Sequence, residues 1–195
     1  TRSDGSKFGK SESGEALWLD INKTSSYELY QYFINAEDDK VIEYLKKLTF
    51  LTKEEIEELE KSLNEHPEER KAQKALAKEI ITFLHGEEEY KKALHISESL
   101  FSDKIWELTA DEIIESIKDV PRFDVKDNTL LIDLLVDNKI VSSKREAREM
   151  ITTGAISINN QKSTDLEKVV TTKDAIEGKV LLIKKGKKNY FMGLM

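Results

Sequence analysis

Residues 143–160 have the sequence SKREAREMITTGAISINN, which decides the fold of the C-terminal part of the chain. Ser143 and Glu146 have the spacing of a helix capping box, and Gly154 suits the end of the same helix. Residues 156–160 then alternate apolar with small or polar side chains and end in a pair typical of a tight turn. The stretch predicts a helix, a strand and a turn, in that order.

The flanking segments extend this pattern into a small α+β module at residues 129–195. Four leucines between positions 130 and 135 form the apolar face of an earlier helix. Residues 180–183 and 190–192 predict two further strands, joined across Gly186. We therefore expect two helices followed by short strands.

Residues 23–120 have helical periodicity instead. A serine or threonine three residues before a glutamate marks helix starts at Ser25, Thr52 and Thr109. Apolar side chains recur every three or four residues between these points, and Phe83 is among those expected to face inward. Short loops between such helices predict a compact antiparallel bundle.

The fold class expected for the whole chain is α+β, with an α-helical bundle followed by the small α+β module. Residues 121–128 (PRFDVKDN) mix turn formers with charge and lack periodicity, which predicts a linker between the two domains. Residues 1–22 contain three glycines and several serines, which indicates a loop.

Composition excludes several function classes. The 195 residues include no cysteine, which removes disulfides, thiolate metal sites and cysteine nucleophiles together. The three histidines match no metal-binding spacing, so we expect no metal site. No apolar run approaches the ~20 residues that span a bilayer, and the N-terminus lacks the pattern of a signal peptide. We therefore expect a cytoplasmic protein with no membrane partner.

Charge is distributed unevenly along the chain, whose net charge is −7. Residues 21–127 contain 16 basic and 26 acidic side chains, whereas residues 128–195 contain 12 basic and 8 acidic ones. Distant charge is screened over roughly 8–10 Å, so affinity for nucleic acid depends on local lysines and arginines. The C-terminal segment is therefore the candidate RNA surface.

A first basic cluster lies near the N-terminus. Lys7, Lys10 and Ser11 belong to a glycine-containing loop, KFGKS, where two ammonium groups suit a polyphosphate. The competing interpretation is a solvated loop without a ligand.

A second cluster begins the helix at Lys144. Lys144 and Arg148 are four residues apart and Arg145 and Arg148 are three apart, so all three project from one side near a capped helix start. Free amides at that end and guanidinium groups suit phosphate oxygens. The competing interpretation is a basic solvated face, partly paired with Glu146 and Glu149.

A third cluster surrounds the glycine of the stretch KKGKKNYF and comprises Lys184, Lys185, Lys187 and Lys188. Four like charges on a tight turn repel one another, which favours a polyanionic partner. Tyr190 and Phe191 are expected to belong to the strand core, with base stacking as the alternative.

Seven segments follow one another along the chain: SDGSKFGKSESG, SSYELYQYFINAEDDKVIEYLKKLTFL, AQKALAKEI, FLHG, HISESLF, SKREAREMITTGAISINN and KKGKKNYF. Together they resemble the bacterial tyrosyl-tRNA synthetases over essentially the whole chain. The first segment is similar to the class I synthetase lysine signature. The last two are similar to the RNA-binding module first named from ribosomal protein S-four.

The resemblance implies a helical domain that meets the anticodon arm of tRNA(Tyr) and an S-four-like domain that grips the tRNA, including its long variable arm. It implies that tRNA is contacted by Arg145, Arg148, Lys184, Lys185, Lys187 and Lys188. We add Lys144 to these expected contacts because it belongs to the second cluster.

The resemblance also implies a ligase that activates tyrosine with ATP, in the presence of magnesium, and transfers it to the 3′ end of tRNA(Tyr). Lys7, Lys10 and Ser11 match the mobile loop that holds the pyrophosphate in the transition state. Lys10 is the implied ATP contact. The full-length parent is expected to be a homodimer.

The chain departs from the family in one large respect, because the nucleotide-binding domain expected before Thr1 is absent from the sequence. We expect this fragment to bind tRNA as a monomer, to hold no cofactor tightly and to be inactive alone. Two alternatives remain open at this point. One is a stand-alone S-four-like RNA-binding adaptor, and the other is a structural protein whose acidic bundle binds another protein.

Tyrosine-dependent ATP–pyrophosphate exchange tests the expected inactivity. The purified chain is expected to give no exchange above a blank without enzyme, because no parallel-sheet pattern of a nucleotide-binding domain occurs in its sequence. Exchange that depends on both tyrosine and the chain would contradict this expectation.

Overall fold

The computed structural model describes residues 16–118, 120–187 and 189–195. The chain divides into two compact units, Thr1–Ser97 and Glu98–Met195. The first unit is helical and the second combines helices with β-sheets, which confirms the predicted α+β class.

Within the described residues, the first unit is built from α-helices with short connections. They are α1 (Ser26–Ile34), α2 (Asp38–Leu48), α3 (Lys53–Glu65), α4 (Lys71–His85) and α5 (Glu87–Ser99), whose last turn crosses the unit boundary. α4 lies against α1, α2 and α3, and it buries Leu76 and Ile81 completely. Full burial of one such side chain contributes about 1.5–3 kcal/mol. The contacts with three other helices place α4 at the centre of the bundle.

Local hydrogen bonds start three helices where the sequence predicts. At each of Ser25, Thr52 and Thr109, the side-chain oxygen accepts a hydrogen bond from the backbone N–H of the glutamate three residues later. The carboxylate of that glutamate accepts a hydrogen bond from the backbone N–H of the serine or threonine. These capping boxes are confirmed, and each satisfies two amides. Gly86 ends α4 with a φ of 93°, a conformation that favours glycine.

Phe83 does not face inward as the periodicity predicts. Its side chain is 70% exposed, and its ring centroid lies 5.4 Å from that of Phe50, which is also exposed. α4 buries a face that includes Gln73, Ala77 and Ile80, and Phe83 falls at the edge of this face near the helix end. The periodic pattern therefore located the helix correctly and misassigned one side chain at its boundary.

The second unit contains helices and two sheets. After a 3-10 turn at Asp103–Glu107 come α6 (Ala110–Ser116), β1 (Arg122–Asp124), β2 (Thr129–Leu130), α7 (Leu131–Asp137), α8 (Lys144–Thr152), β3 (Ile156–Ile158), β4 (Gln161–Lys162), β5 (Val169–Val170), β6 (Val180–Lys185) and β7 (Asn189–Leu194). The larger sheet has the order β1-β7-β6-β3-β4, and β2 pairs with β5 separately. β1 runs parallel to β7, and the other pairs are antiparallel.

One face of the larger sheet packs against α7 and α8. Leu131 and Leu135 of α7 and Ala147 and Ile151 of α8 are fully buried with Ile183 of β6 in one apolar cluster. This cluster holds α8 over the sheet and brings the start of that helix to the end of β6.

Residues 121–128, which we expected to form a linker, contribute to the sheet. Arg122–Asp124 form β1 and pair with Met192–Leu194 of β7. The backbone approaches its neighbours closely at Gly193, where an added Cβ would lie 2.7 Å from Val125 Cγ2. Three residues are too few to show an alternating pattern, so the sequence alone did not reveal this strand.

The boundary between the units also differs from the one expected at residues 121–128. Residues 98–116, expected in the helical bundle, belong to the second unit. There α6 contacts β6, and Ile105 and Ile113 are fully buried. A helical pattern alone does not distinguish a helix that packs in a bundle from one that packs on a sheet.

The turn predicted at the asparagine pair joins β3 and β4. Asn159 and Asn160 have φ angles of 46° and 64°, as in a type I′ hairpin turn. Asn159 is buried, and its Oδ1 accepts from Leu182 N–H at 2.8 Å while its Nδ2 donates to Asp174 C=O at 2.8 Å. The side-chain amide of Asn159 therefore connects the turn to β6 and to the segment before β6.

Replacement of Asn159 by alanine is expected to lower the free energy of unfolding by about 2–4 kcal/mol, because it leaves buried backbone groups unsatisfied and places alanine at positive φ. Urea unfolding followed by circular dichroism measures the loss. Asn128→Ala is the matched control, since Asn128 also has a positive φ of 60° but is exposed. The control is expected to lose only about 1 kcal/mol, and equal losses would contradict the role of the buried amide.

Candidate nucleic-acid interface

The candidate interface begins at the N-terminus of α8, where Ser143 caps the helix. Ser143 Oγ accepts from Glu146 N–H at 3.2 Å. The Glu146 carboxylate does not complete the predicted capping box, because it accepts instead from the N–H and the hydroxyl of Ser142 at 2.7 and 2.6 Å. Lys185 Nζ approaches its other oxygen at 3.1 Å and holds it in this position. The expected box is therefore half formed.

Lys185 links β6 to the start of α8. Its ammonium group donates to Ile140 C=O at 2.8 Å and to Glu146 at 3.1 Å, and its side chain is only 23% exposed. The structure thus places this predicted RNA contact in an ion pair with a carboxylate of its own domain.

The same contacts stabilise the charge of Glu146. Hydrogen bonds from the Ser142 hydroxyl, the Ser142 N–H and the Lys185 ammonium group lower the pKa of this carboxyl to about 2. Glu146 is therefore ionised at neutral pH and is committed to partners other than the arginines of its helix.

Arg145 and Arg148 lie on the exposed side of α8, whereas Ala147 and Ile151 face the core. In the part of the chain that the structure describes, neither arginine forms an ion pair or a hydrogen bond. The expected partial pairing with Glu146 is wrong, because that carboxylate binds Ser142 and Lys185, whereas the interpretation as a solvated basic face stays untested. Two guanidinium groups three residues apart can each present a fork of donors to phosphate oxygens.

Lys144 sits beside the arginines and is paired. Its ammonium group lies 2.6 Å from Asp133 of α7, and the two side chains are 58% and 38% exposed. An exposed ion pair of this kind contributes about 0–1 kcal/mol, so a phosphate can compete with Asp133 for the ammonium group.

The lysines of the third cluster separate onto two faces of the sheet. Successive side chains of a strand point to opposite faces, so Lys184 and Lys185 of β6 diverge. Lys185 points to the start of α8, whereas the Lys184 ammonium group lies 5.3 Å from the ring centroid of Tyr190 on the other face. Lys187 is exposed in the turn that follows Gly186, whose φ is 66°.

Four predicted site residues lie outside the described residues, namely Lys7, Lys10, Ser11 and Lys188. Residues 16–118, 120–187 and 189–195 contain no group of histidine, aspartate and glutamate side chains that could hold a metal ion. Each helix within those ranges is too short or too polar to span a bilayer.

The sequence interpretation omitted Lys162, which the structure brings close to the third cluster. Ser157 of β3 pairs with Lys162 of β4 on one side and with Lys184 of β6 on the other. The signal was present in the turn, because a two-residue loop at Asn159-Asn160 fixes the register that sets Ser157 opposite Lys162.

Two family models match the chain. Residues 1–102 match the family described as tRNA synthetases class I (W and Y). Residues 112–193 match the domain described as the tyrosine–tRNA ligase SYY-like C-terminal domain.

Curated relatives match nearly the whole chain, and one solved structure resembles about half of it. A tyrosine–tRNA ligase 1 of Bacillus cereus is 53% identical over 193 residues, which cover 98% of this chain and 46% of that protein. A tyrosine–tRNA ligase 2 of Enterococcus faecalis is 50% identical over 194 residues, which cover 98% of this chain and 46% of that protein. A solution structure of a tyrosyl-tRNA synthetase C-terminal domain is 41% identical, covers 49% of this chain and 97% of that one, and has a TM-score of 0.41. The chain spans about half the length of the curated relatives it matches.

The contacts of Glu146 predict a pH dependence of stability. Its folded-state pKa of about 2 lies below the ordinary 4.5, so its stabilising contribution is present above pH 4.5 and is lost as the pH falls towards 2. The thermal midpoint of Glu146→Gln is expected to be below that of the unsubstituted chain at pH 6, and the difference is expected to shrink on acidification. Glu149→Gln is the control on the same helix and is expected to follow the unsubstituted chain. A constant difference for Glu146→Gln across this range would contradict the assignment.

Proposed function

Because the chain belongs to the class I tRNA synthetases (W and Y) and corresponds to the C-terminal region of bacterial tyrosyl-tRNA synthetases, we propose that it is the tRNA-binding part of a tyrosine–tRNA ligase. The observation that carries the proposal is the arginine pair of α8, Arg145 and Arg148, exposed and without a partner among the described residues. Phosphates supply most of the sequence-independent affinity for nucleic acid, and unpaired guanidinium groups are suited to bind them.

Further cations extend this surface. A phosphate can compete with Asp133 for the ammonium group of Lys144, because that ion pair is exposed. Lys187 is exposed in the turn before β7. Lys184 and Lys188 complete the proposed set. Lys185 differs from them, because it already holds Glu146, and we propose that it acts on RNA mainly by fixing the start of α8.

The two units are proposed to share the tRNA. We assign the helical unit to the anticodon arm and the sheet-containing unit to the body of tRNA(Tyr), including its long variable arm. A local excess of positive charge supports this division, because residues 128–195, which lie wholly within the second unit, contain 12 basic and 8 acidic side chains. Phosphate binding is therefore expected mainly from the second unit.

The whole ligase is proposed to activate tyrosine with ATP and magnesium, and then to transfer it to tRNA(Tyr). Lys7 and Lys10, with Ser11, would hold the pyrophosphate as it leaves, and Lys10 would contact ATP. Ammonium groups placed where charge develops in the transition state raise the rate of such a step. The match of residues 1–102 to the synthetase family supports this assignment. We propose a cytoplasmic homodimer for the whole ligase and a monomer without a tightly bound cofactor for this chain.

The double variant Arg145→Gln/Arg148→Gln tests the tRNA-binding role. Its affinity for a tRNA(Tyr) transcript is expected to be at least about tenfold weaker, because two charge-assisted phosphate contacts are lost. The slope of log K against log salt is expected to decrease by about two, one unit for each lost phosphate contact. Fluorescence anisotropy between low and moderate salt measures both quantities.

Lys173→Gln/Lys179→Gln is the charge-matched control, since both lysines are exposed in the same unit and lie away from α8 in sequence. It is expected to retain most of the affinity and the salt slope. The proposal is wrong if the arginine variant behaves like this control, or if the unsubstituted chain does not bind the transcript.

A further inference from the structure

One face of the five-stranded sheet carries a row of basic and aromatic side chains. Lys162 pairs with Ser157, Ser157 pairs with Lys184, and Lys184 pairs with Tyr190. Directly paired residues of antiparallel strands place their side chains on the same face, so these four form one line across β4, β3, β6 and β7. With strands about 4.8 Å apart, the line spans roughly 14 Å.

This line lies on the face opposite to α7 and α8. Along β6, Leu181 and Ile183 point into the cluster that those helices cover, and Lys184 is the next residue after Ile183. The alternation of the strand therefore turns Lys184 away from the helices. The arginine pair of α8 and the row of side chains are thus separate surfaces of the same unit.

Phe101 extends the row at its aromatic end. Its ring centroid lies 5.2 Å from that of Tyr190, with the two planes inclined at 56°. The Phe101 side chain is 53% exposed, although a large apolar ring gains free energy from burial. We call Lys162, Ser157, Lys184, Tyr190 and Phe101 the aromatic row.

Asn160 holds the exposed ring in place. Its Nδ2 donates to Leu100 C=O at 3.0 Å and to Ser102 C=O at 2.8 Å, the carbonyl groups on either side of Phe101. The same residue occupies the second position of the hairpin turn, at a φ of 64°. The hairpin that sets Lys162 in the row therefore also fixes Phe101 beside Tyr190, so the surface is formed before a ligand arrives.

The cations of the row are available to an anionic partner. Within the described ranges, neither Lys162 nor Lys184 forms an ion pair with a carboxylate, and Lys162 is exposed. A surface that combines unneutralised ammonium groups with the exposed ring of Phe101, backed by the half-buried ring of Tyr190, matches a ligand that has both anionic groups and flat apolar faces. Unpaired nucleotides have this combination, and sheet surfaces with aromatic side chains commonly bind them.

We propose that the aromatic row binds an unpaired nucleotide of tRNA, with the base stacked on Phe101 and Tyr190 and the neighbouring phosphates at Lys184 and Lys162. The proposal rests on the tRNA-binding function proposed above and adds a second contact, on the other face of the sheet from the arginine pair. The arginines bind phosphates of any RNA sequence, whereas the aromatic row binds only RNA that contains an unpaired base able to stack on Phe101 and Tyr190.

Phe101→Leu removes the ring without changing charge. Its affinity for a tRNA(Tyr) transcript is expected to fall roughly five- to hundredfold, the usual effect of losing one base-stacking partner, with an unchanged salt slope. Lys162→Gln is expected to lower the salt slope by about one. Phe101→Tyr keeps the ring and is expected to retain the affinity. Trp106→Leu is the matched control, since Trp106 is an exposed aromatic residue of the same unit outside the row.

Asn160→Gly provides an independent variant that leaves both rings intact. Glycine accepts the positive φ of the turn, so the hairpin is retained while the bonds to the carbonyl groups beside Phe101 are lost. Its affinity is expected to fall in the same direction as that of Phe101→Leu, again without a change in salt slope. This variant decides the question if Phe101→Leu does not fold.

The outcomes separate this proposal from the one it rests on. If Arg145→Gln/Arg148→Gln weakens binding while Phe101→Leu and Asn160→Gly bind like Trp106→Leu, the row is not a tRNA contact and the tRNA-binding function stands. A row that binds a protein instead would give this same result and overturn the proposal. Failure of the unsubstituted chain to bind the transcript would overturn both.

Discussion

The two-residue turn at Asn159-Asn160 is the constraint on which the second unit depends. Its first amide is buried and binds the backbone of Leu182 and Asp174, which fixes the turn against β6. Its second amide binds the carbonyl groups on both sides of Phe101. Two side chains with positive φ therefore join β3, β4, β6 and the segment before α6. Few residues other than asparagine and glycine adopt this conformation without strain, and glycine has no amide to make the bonds.

Because side chains alternate along β6, the neighbouring residues Lys184 and Lys185 point to opposite faces of the sheet and make different contacts. Lys185 faces α8 and is held by Glu146 and by Ile140 C=O, so it stabilises the start of the helix. Because Glu146 is occupied in this way, the exposed arginines of α8 keep their charge available for a ligand. Lys184 faces the opposite side and contacts Tyr190. Within the described residues, positive charge without a carboxylate partner is therefore present on both faces, at the arginines of α8 on one and at Lys184 on the other.

Local patterns predicted much of the fold and part of the candidate site. Capping boxes at Ser25, Thr52 and Thr109 marked helix starts correctly, because each box is made by residues within one turn. The strand β1 and the exposure of Phe83 were not predicted, because both depend on what packs nearby. Glu146 shows the limit most clearly: its spacing from Ser143 predicts a capping box, but its carboxylate binds Ser142 and a lysine 39 residues away in sequence instead.

The sequence by itself determined the α+β class, the order of α7, α8, β3, β6 and β7, the presence of a turn at Asn159-Asn160 and the concentration of positive charge in the last third of the chain. These features follow from neighbours within a few residues or from composition, and the family resemblance was visible in the same motifs. Only the tertiary structure decided which cations are free, which are paired, and which rings meet. Those properties depend on strand register and on contacts between distant segments, where a shift of one residue sends a side chain to the other face.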